Sequence, residues 1–125
     1  MLAVSLGGAI GAVARYGVSE SELVDRSLPG AFPWDTLAVN LTGSFLLGLL
    51  LALLGSQARW STARLLFGTG LLGAFTTFST FSLDSAHLLR NDAALTAIIY
   101  VLASLVGGLA LAFAGIGFAR RLRNR

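Results

Sequence analysis

Apolar residues fall along the chain in four long blocks separated by short polar stretches. The first runs from about Leu2 to Val18, the second from about Trp34 to Leu54, the third from Leu65 to Leu89 and the fourth from about Ala93 to Ala119. Each approaches the ~20 residues that an α-helix needs to cross a hydrocarbon core. The first block is only just long enough. It does not read as a signal peptide, because no charged segment precedes it and Gly7, Gly8 and Gly11 are spread along it. Pro29, Gly30 and Pro33 punctuate the only long loop, which is acidic through Glu20, Glu22 and Asp25. The pattern predicts an all-α integral membrane protein: one four-helix unit over residues 1–125, with no extramembrane domain.

Composition agrees and removes whole classes of function. Hydrophobic residues make up 55% of the chain and charged residues 12%, the latter about half the share of a soluble domain. Mean hydropathy is +0.78. With no cysteine there is no disulfide, thiolate metal site or thiol nucleophile. The single histidine, His87, reads as an interfacial residue; it cannot build a multi-histidine site. The pI of 10.6 invites a nucleic-acid reading. However, the chain has no lysine, and four of its nine arginines occupy the last six residues. A basic tail beside a membrane span is a topology signal. No nucleic-acid partner is expected, and no enzyme.

Fifteen glycines are too many for water-soluble helices but suit helices packed in lipid, where close backbone contact drives association. Ala3, Gly7 and Gly11 recur on one face of the first helix, and Gly108 and Ala112 form a similar stripe on the fourth. Tight packing accounts for most of them. It does not account for the third block, whose centre reads Gly73-Ala74-Phe75-Thr76-Thr77-Phe78-Ser79-Thr80-Phe81-Ser82. Five hydroxyl residues and three aromatics stand there, at the expected bilayer midplane. Irregular backbone survives at that depth only when buried in protein or lining a wet cavity. A helix broken at the midplane is a common way to build an ion site from carbonyls and helix ends.

Other polar groups sit deep. Asn40 is followed at helical spacing by Ser44 and Gly48, and Tyr100 by Ser104 and Gly108. Singly, such residues serve as interhelical hydrogen-bond glue. Three polar stripes on three helices point instead to a narrow hydrogen-bonding path. Arg15, near the end of the first span, is either a snorkelling anchor or the electropositive mouth of that path. Phe78 and Phe81 share a helical face. Packing is the plain reading of such a pair, but ring edges carry partial positive charge and can face an anion.

Three stretches carry a family resemblance: Gly8-Ala9-Ile10-Gly11-Ala12-Val13-Ala14-Arg15-Tyr16, Val39-Asn40-Leu41-Thr42-Gly43-Ser44-Phe45, and the Gly73–Ser82 run quoted above. They resemble the motifs of the Fluc fluoride channels, also called CrcB, over the whole chain. The resemblance implies a dual-pore channel of two antiparallel subunits that passes fluoride out of the cell through its plasma or inner membrane. It implies a structural sodium ion at the dimer centre, held by backbone carbonyls matching Gly73 and Thr76. Phe78 and Phe81 would be the pore phenylalanines, Asn40 the pore asparagine and Arg15 the vestibule arginine. Thr80 belongs to the same pathway set, and Tyr100 and Ser104 match the start of a polar track. Ala74 stands where a second glycine is common, and Gly108 where the track often continues with a hydroxyl.

Two rival readings stand against this. A small proton-coupled multidrug exporter needs an acidic residue inside a span; the first helix has none, and Asp84 is expected near the interface. A purely structural membrane subunit leaves the third block unexplained. Charge also bears on the partner. With a cytoplasmic N-terminus, six arginines (59, 64, 120, 121, 123 and 125) fall inside, and Arg15, Arg26 and Arg90 outside. That bias leaves open an antiparallel homodimer or a heterodimer with a related, oppositely oriented subunit.

Overall fold

A computed structural model describes residues 1–19, 30–55 and 60–124. Glu20, Glu22, Asp25 and Pro29 of the expected acidic loop, and Arg26, Arg59 and Arg125, lie outside them. Helix α1 spans Leu2–Ser19 and α2 Trp34–Leu54. Helix α3 covers 61–75, α4 Phe78–Arg90 and α5 Ala94–Arg123. α3 and α4 together form the third span, so among the described residues four helical spans are long and apolar enough to cross a membrane. The third begins at Ser61, not Leu65, and the fourth runs on to Arg123, past Ala119. Arginine is a good helix former, so nothing in Arg120–Arg123 stops the last helix before its charged turn.

The spans pack as two parallel pairs. A Cβ on Gly7 would overlap the Leu66 carbonyl and one on Gly11 the Leu71 carbonyl, so α1 lies backbone to backbone on α3. Gly48 meets the Ala112 carbonyl and Gly115 the Phe45 carbonyl in the same way, joining α2 to α5. The glycine stripe expected on α1 is therefore its packing seam, and on α5 the seam is centred on Ala112 and Gly115.

α3 is unusual in its own backbone. Only Ser61–Ala63 and Gly73–Phe75 are α-helical; Arg64–Leu72 between them is π-helical. Such widened turns are rare and gather at functional sites. Here Gly70 brings the widened stretch against Val4 and Gly7 of α1. α4 and α5 are joined by only three residues. Asp92 takes a left-handed conformation (φ 56°), and the Ala93 N–H reaches back to the Leu88 carbonyl at 3.0 Å. This is a Schellman-type stop with aspartate in glycine's usual place.

Little of the chain is buried. Leu37, Leu88, Ala97 and Tyr100 form one small core cluster, with Phe81 packed against it. Leu95, Phe113 and Phe78 stand mostly exposed. An apolar exterior around a small, glycine-seamed interior is what lipid as solvent requires.

Candidate functional site

The third span is interrupted at Thr76 and Thr77, both extended (ψ 155° and 119°). Two extended residues cut the i→i+4 ladder, and every polar group released there needs another partner in lipid. Asn40 of α2 supplies two. Its Oδ1 accepts from the Thr77 N–H at 2.8 Å, and its Nδ2 donates to the Thr77 carbonyl at 3.0 Å. One side-chain amide thus takes the N–H that the break frees and adds a second donor to the carbonyl that starts the next helix. Among the described residues its second N–H has no partner.

Thr77 then restarts the helix as an N-cap. Its hydroxyl oxygen accepts from the Thr80 N–H at 3.1 Å, while its proton goes to the Thr80 hydroxyl at 3.0 Å. These diversions draw the helical donors away from two carbonyls. The Gly73 carbonyl would be served by the Thr77 N–H, which goes to Asn40, and the Thr76 carbonyl by the Thr80 N–H, which goes to Thr77. Thr76 spends its own hydroxyl on the Leu72 carbonyl at 2.9 Å. The break therefore offers backbone oxygens, not side chains.

Two cavities flank it, and Thr77 lines both. One, of about 340 Å³, is bounded by Asn40, Ser44, Phe78, Phe81 and Ser104, with Gly73 and Thr76 at its wall. The other, of about 300 Å³, holds Arg15, Tyr16, Ser19, Thr36 and Thr80. The structure thus brings Asn40, Phe78, Phe81, Ser104, Gly73 and Thr76 to one side of the clamp, and Arg15 and Thr80 to the other. Phe78 and Phe81 lie 5.8 Å apart between centroids; Phe81 is half-buried, and Phe78 is 80% exposed on the flank of the chain. The Ser104 hydroxyl donates to the Tyr100 carbonyl of its own helix at 2.8 Å.

A family model described as CrcB-like protein, Camphor Resistance (CrcB), matches residues 2–116. The chain belongs to the CrcB family. A fluoride-specific ion channel FluC of Agrobacterium fabrum is 48% identical to it over 122 residues, covering 95% of this chain and 94% of the relative. A channel of the same name from Thermus thermophilus is 47% identical over 114 residues, covering 91% and 90%. That from Chelativorans is 46% identical over 123 residues, covering 98% and 97%.

One feature of this CrcB chain differs from the sequence reading. Tyr100, read as part of a polar track, is fully buried. Its ring packs 5.4 Å from Phe81 and edge-on to Phe32 at 5.6 Å, and it lines neither cavity. Aromatic contacts on both sides outweigh exposure of its hydroxyl end. Asp84, expected near the interface, is buried within the protein and accepts from the Thr36 hydroxyl at 2.7 Å. The sequence did carry a signal for that contact: Thr36, Val39 and Asn40 share one face of α2.

Proposed function

We infer that this chain is a subunit of a fluoride-selective ion channel and not an enzyme, drawing the ion from the names of its full-length relatives. The observation that carries the reading is the Asn40–Thr77 clamp, with a donor-bearing cavity on each side. Those relatives carry a channel's name, not an exporter's.

Fluoride is small and strongly hydrated, so a path through lipid must replace its water with donors. Arg15 attracts the anion to the cavity that it lines, where Thr80 offers a hydroxyl. The spare Nδ2 proton of Asn40 meets it at the clamp. Beyond, the ring edges of Phe81 and Phe78 give weak positive contact, which lets an ion leave as readily as it binds. Ser104 follows. Tyr100 holds the Phe81 ring from behind.

No energy source is required. Neutral HF crosses a bilayer and dissociates in a near-neutral cytoplasm, leaving fluoride inside. A negative-inside potential works on each charge with about 2.3 kcal/mol per 100 mV, which is roughly a 50-fold gradient. A passive selective leak therefore lowers internal fluoride.

The assembly proposed is an antiparallel dimer with two pores in the plasma or inner membrane. The exposed Phe78 ring supports it, because a pore residue on the flank of one chain calls for a partner to close the path. A sodium ion at the dimer centre fits the Gly73 and Thr76 carbonyls, whose helical donors are diverted. Two such carbonyls and their symmetry mates suit a hard monovalent cation. When bound, the ion supplies fixed positive charge that ties the two breaks together. The six-to-three arginine bias keeps a heterodimer beside the homodimer. Equal labelling of a C-terminal reporter from both membrane faces supports the homodimer; one orientation, with no flux until a second subunit is supplied, supports the pair.

The test of function is efflux from liposomes holding this chain alone. Fluoride should leave and chloride should not. Equal passage of both ions, or dependence on a proton gradient, sinks the reading.

A further inference from the structure

The two ends of this molecule carry opposite charge. At the end where α2 and α5 finish and α3 begins stand Arg64, Arg120, Arg121 and Arg123, with Arg59 and Arg125 beside them in sequence and no acidic residue. All six carboxylates of the chain fall in sequence toward the other end, with three arginines. Formal charges are thus +6 and −3, which make up the chain's +3. Helix dipoles do not offset the basic end. Two helix N-termini (α1, α3) and two C-termini (α2, α5) meet there, and their half charges cancel.

The geometry sets these arginines at headgroup depth. α2 has 21 residues, about 31 Å of helix, and matches a hydrocarbon core. α5 has 30 residues, about 45 Å, and overshoots it. The Gly48–Ala112 seam runs both helices in one direction, so their ends share a face. The Arg123 guanidinium reaches back to the Ala52 carbonyl at 3.5 Å, in the last turn of α2. Arg120 and Arg121 are exposed, and the half-exposed apolar Phe118 and Leu122 flank them on the same helix. Trp60, at the same end, is an aromatic of the kind that marks a membrane–water boundary.

We propose that the Arg120–Arg121 turn of α5, next to the Arg123-capped end of α2, is a binding site for the phosphate of an anionic phospholipid. Guanidinium forks match phosphate oxygens bidentately. Acyl chains of the same lipid would lie along the exposed apolar side of α5. Arg123 positions the site by tying α5 to α2, and Arg120 and Arg121 hold the headgroup. The proposal goes beyond the conducted ion and does not rest on it.

The test is native mass spectrometry of the whole purified assembly, offered phosphatidylglycerol or phosphatidylcholine of equal chain length. Phosphatidylglycerol should be retained preferentially. Arg120→Gln with Arg121→Gln should cut that preference by roughly fivefold per residue, the scale of one basic side chain at an anionic surface. Arg120→Lys with Arg121→Lys should keep most of it. Raising the salt should erode it in the unmodified protein, which needs no variant to fold. Equal retention of both lipids, or a glutamine variant that keeps the preference, overturns the proposal. So does displacement of the lipid by millimolar inorganic phosphate, which would mark a site for free phosphate. Weaker subunit association in the glutamine variant with no lipid preference overturns it too, and would assign the arginines to the acidic end of an oppositely oriented copy. Fluoride efflux from the same preparation keeps this outcome separate from that of the channel reading.

Discussion

Along α2 and α5 the helical ladder is continuous, and two parallel backbones touch where Gly48 and Gly115 leave room. Along the third span the ladder is first widened at Arg64–Leu72 and then cut at Thr76–Thr77. The first region is held by what side chains are absent, the second by what side chains supply. Asn40 links them, because it sits on the continuous helix and its amide completes the interrupted one. A lesion in the first region should therefore remove the fold, and a lesion in the second should remove conduction from a chain that still folds.

The largest effect is expected at the α2–α5 seam. Gly48→Leu must drive a side chain into the Ala112 backbone, which cannot move aside as a flexible side chain would. Overpacking of ordinary cores costs about 1–3 kcal/mol, and rigid backbone on the far side places this case at the upper end or beyond. Monodisperse protein in detergent should be lost. Gly117→Leu, on the same helix as Ala112 but in open space, should purify normally. Similar yields for the two would mean that the seam is not what holds the pair.

Next comes the clamp. Asn40→Ala leaves the Thr77 N–H unsatisfied, at about 1–3 kcal/mol, while the Thr77 carbonyl, at the N-cap, keeps its helical donor. The protein should still be recovered, with a lowered melting temperature. It also removes a donor to a charged ion, worth about 1.5–3 kcal/mol, so flux should fall roughly 10- to 100-fold. Asn40→Asp keeps the acceptor for the Thr77 N–H, but sets a negative charge in an anion path and should conduct no better. Stopped-flow efflux and a melting curve on the same samples read both effects. Full flux in either variant would leave Asn40 a structural residue alone.

How much of this contrast was legible beforehand depended on whether a feature follows from local composition. The four spans did, since length and apolarity decide them. The break did too: Gly73–Ser82 puts hydroxyls where a plain span would put leucine. Gly7 and Gly11 announced their seam by spacing. The π-helical stretch was not legible: Gly68 and Gly70 stand inside Arg64–Leu72, but glycine is common in membrane helices, and the contact of Gly70 with α1 joins distant parts of the chain. Asn40 was visible as a deep polar residue, but not its commitment to the Thr77 backbone, which joins residues 37 apart in the chain. The Thr36–Asp84 bond, 48 apart, was missed for the same reason. Tyr100 matched a polar stripe by spacing, yet its neighbours from other elements, Phe32 and Phe81, drew it into the core.

Phe81→Ile probes the second region without touching its hydrogen bonds. Isoleucine fills comparable space but has no positive ring edge, and the contacts of Phe81 with Tyr100 and Phe78 are lost with it. Aromatic contacts of this kind are worth about 0.5–1.5 kcal/mol each to the fold, so the melting temperature should fall, and flux should drop as well because no ring edge is left to face the ion. Unchanged flux would make the ring mere packing. Phe81→Tyr keeps the edge, and should conduct closer to the unmodified chain than isoleucine does.

Ser104→Ala should be the mildest change in the second region, and it sharpens the contrast most finely. The Ser104 hydroxyl lines the same cavity as Asn40, but its proton already goes to the Tyr100 carbonyl one turn back. To serve an anion it must rotate away and give up that bond, so its net contribution is the difference between two hydrogen bonds. A net hydrogen bond is worth about 0.5–1.5 kcal/mol, and a difference between two falls below that, so flux should change by no more than about threefold. The alanine variant should also lose almost no stability, because the Tyr100 carbonyl keeps its helical donor: it is the Ser104 backbone N–H. A loss as large as that of Asn40→Ala would show that this hydroxyl turns toward the ion during conduction, which would place the tightest point of the path at α5 and not at the break. Efflux measured for Ser104→Ala, Asn40→Ala and the double variant decides between them. Multiplying losses put the two residues at separate points of the path, and a double variant no worse than Asn40→Ala puts them at one.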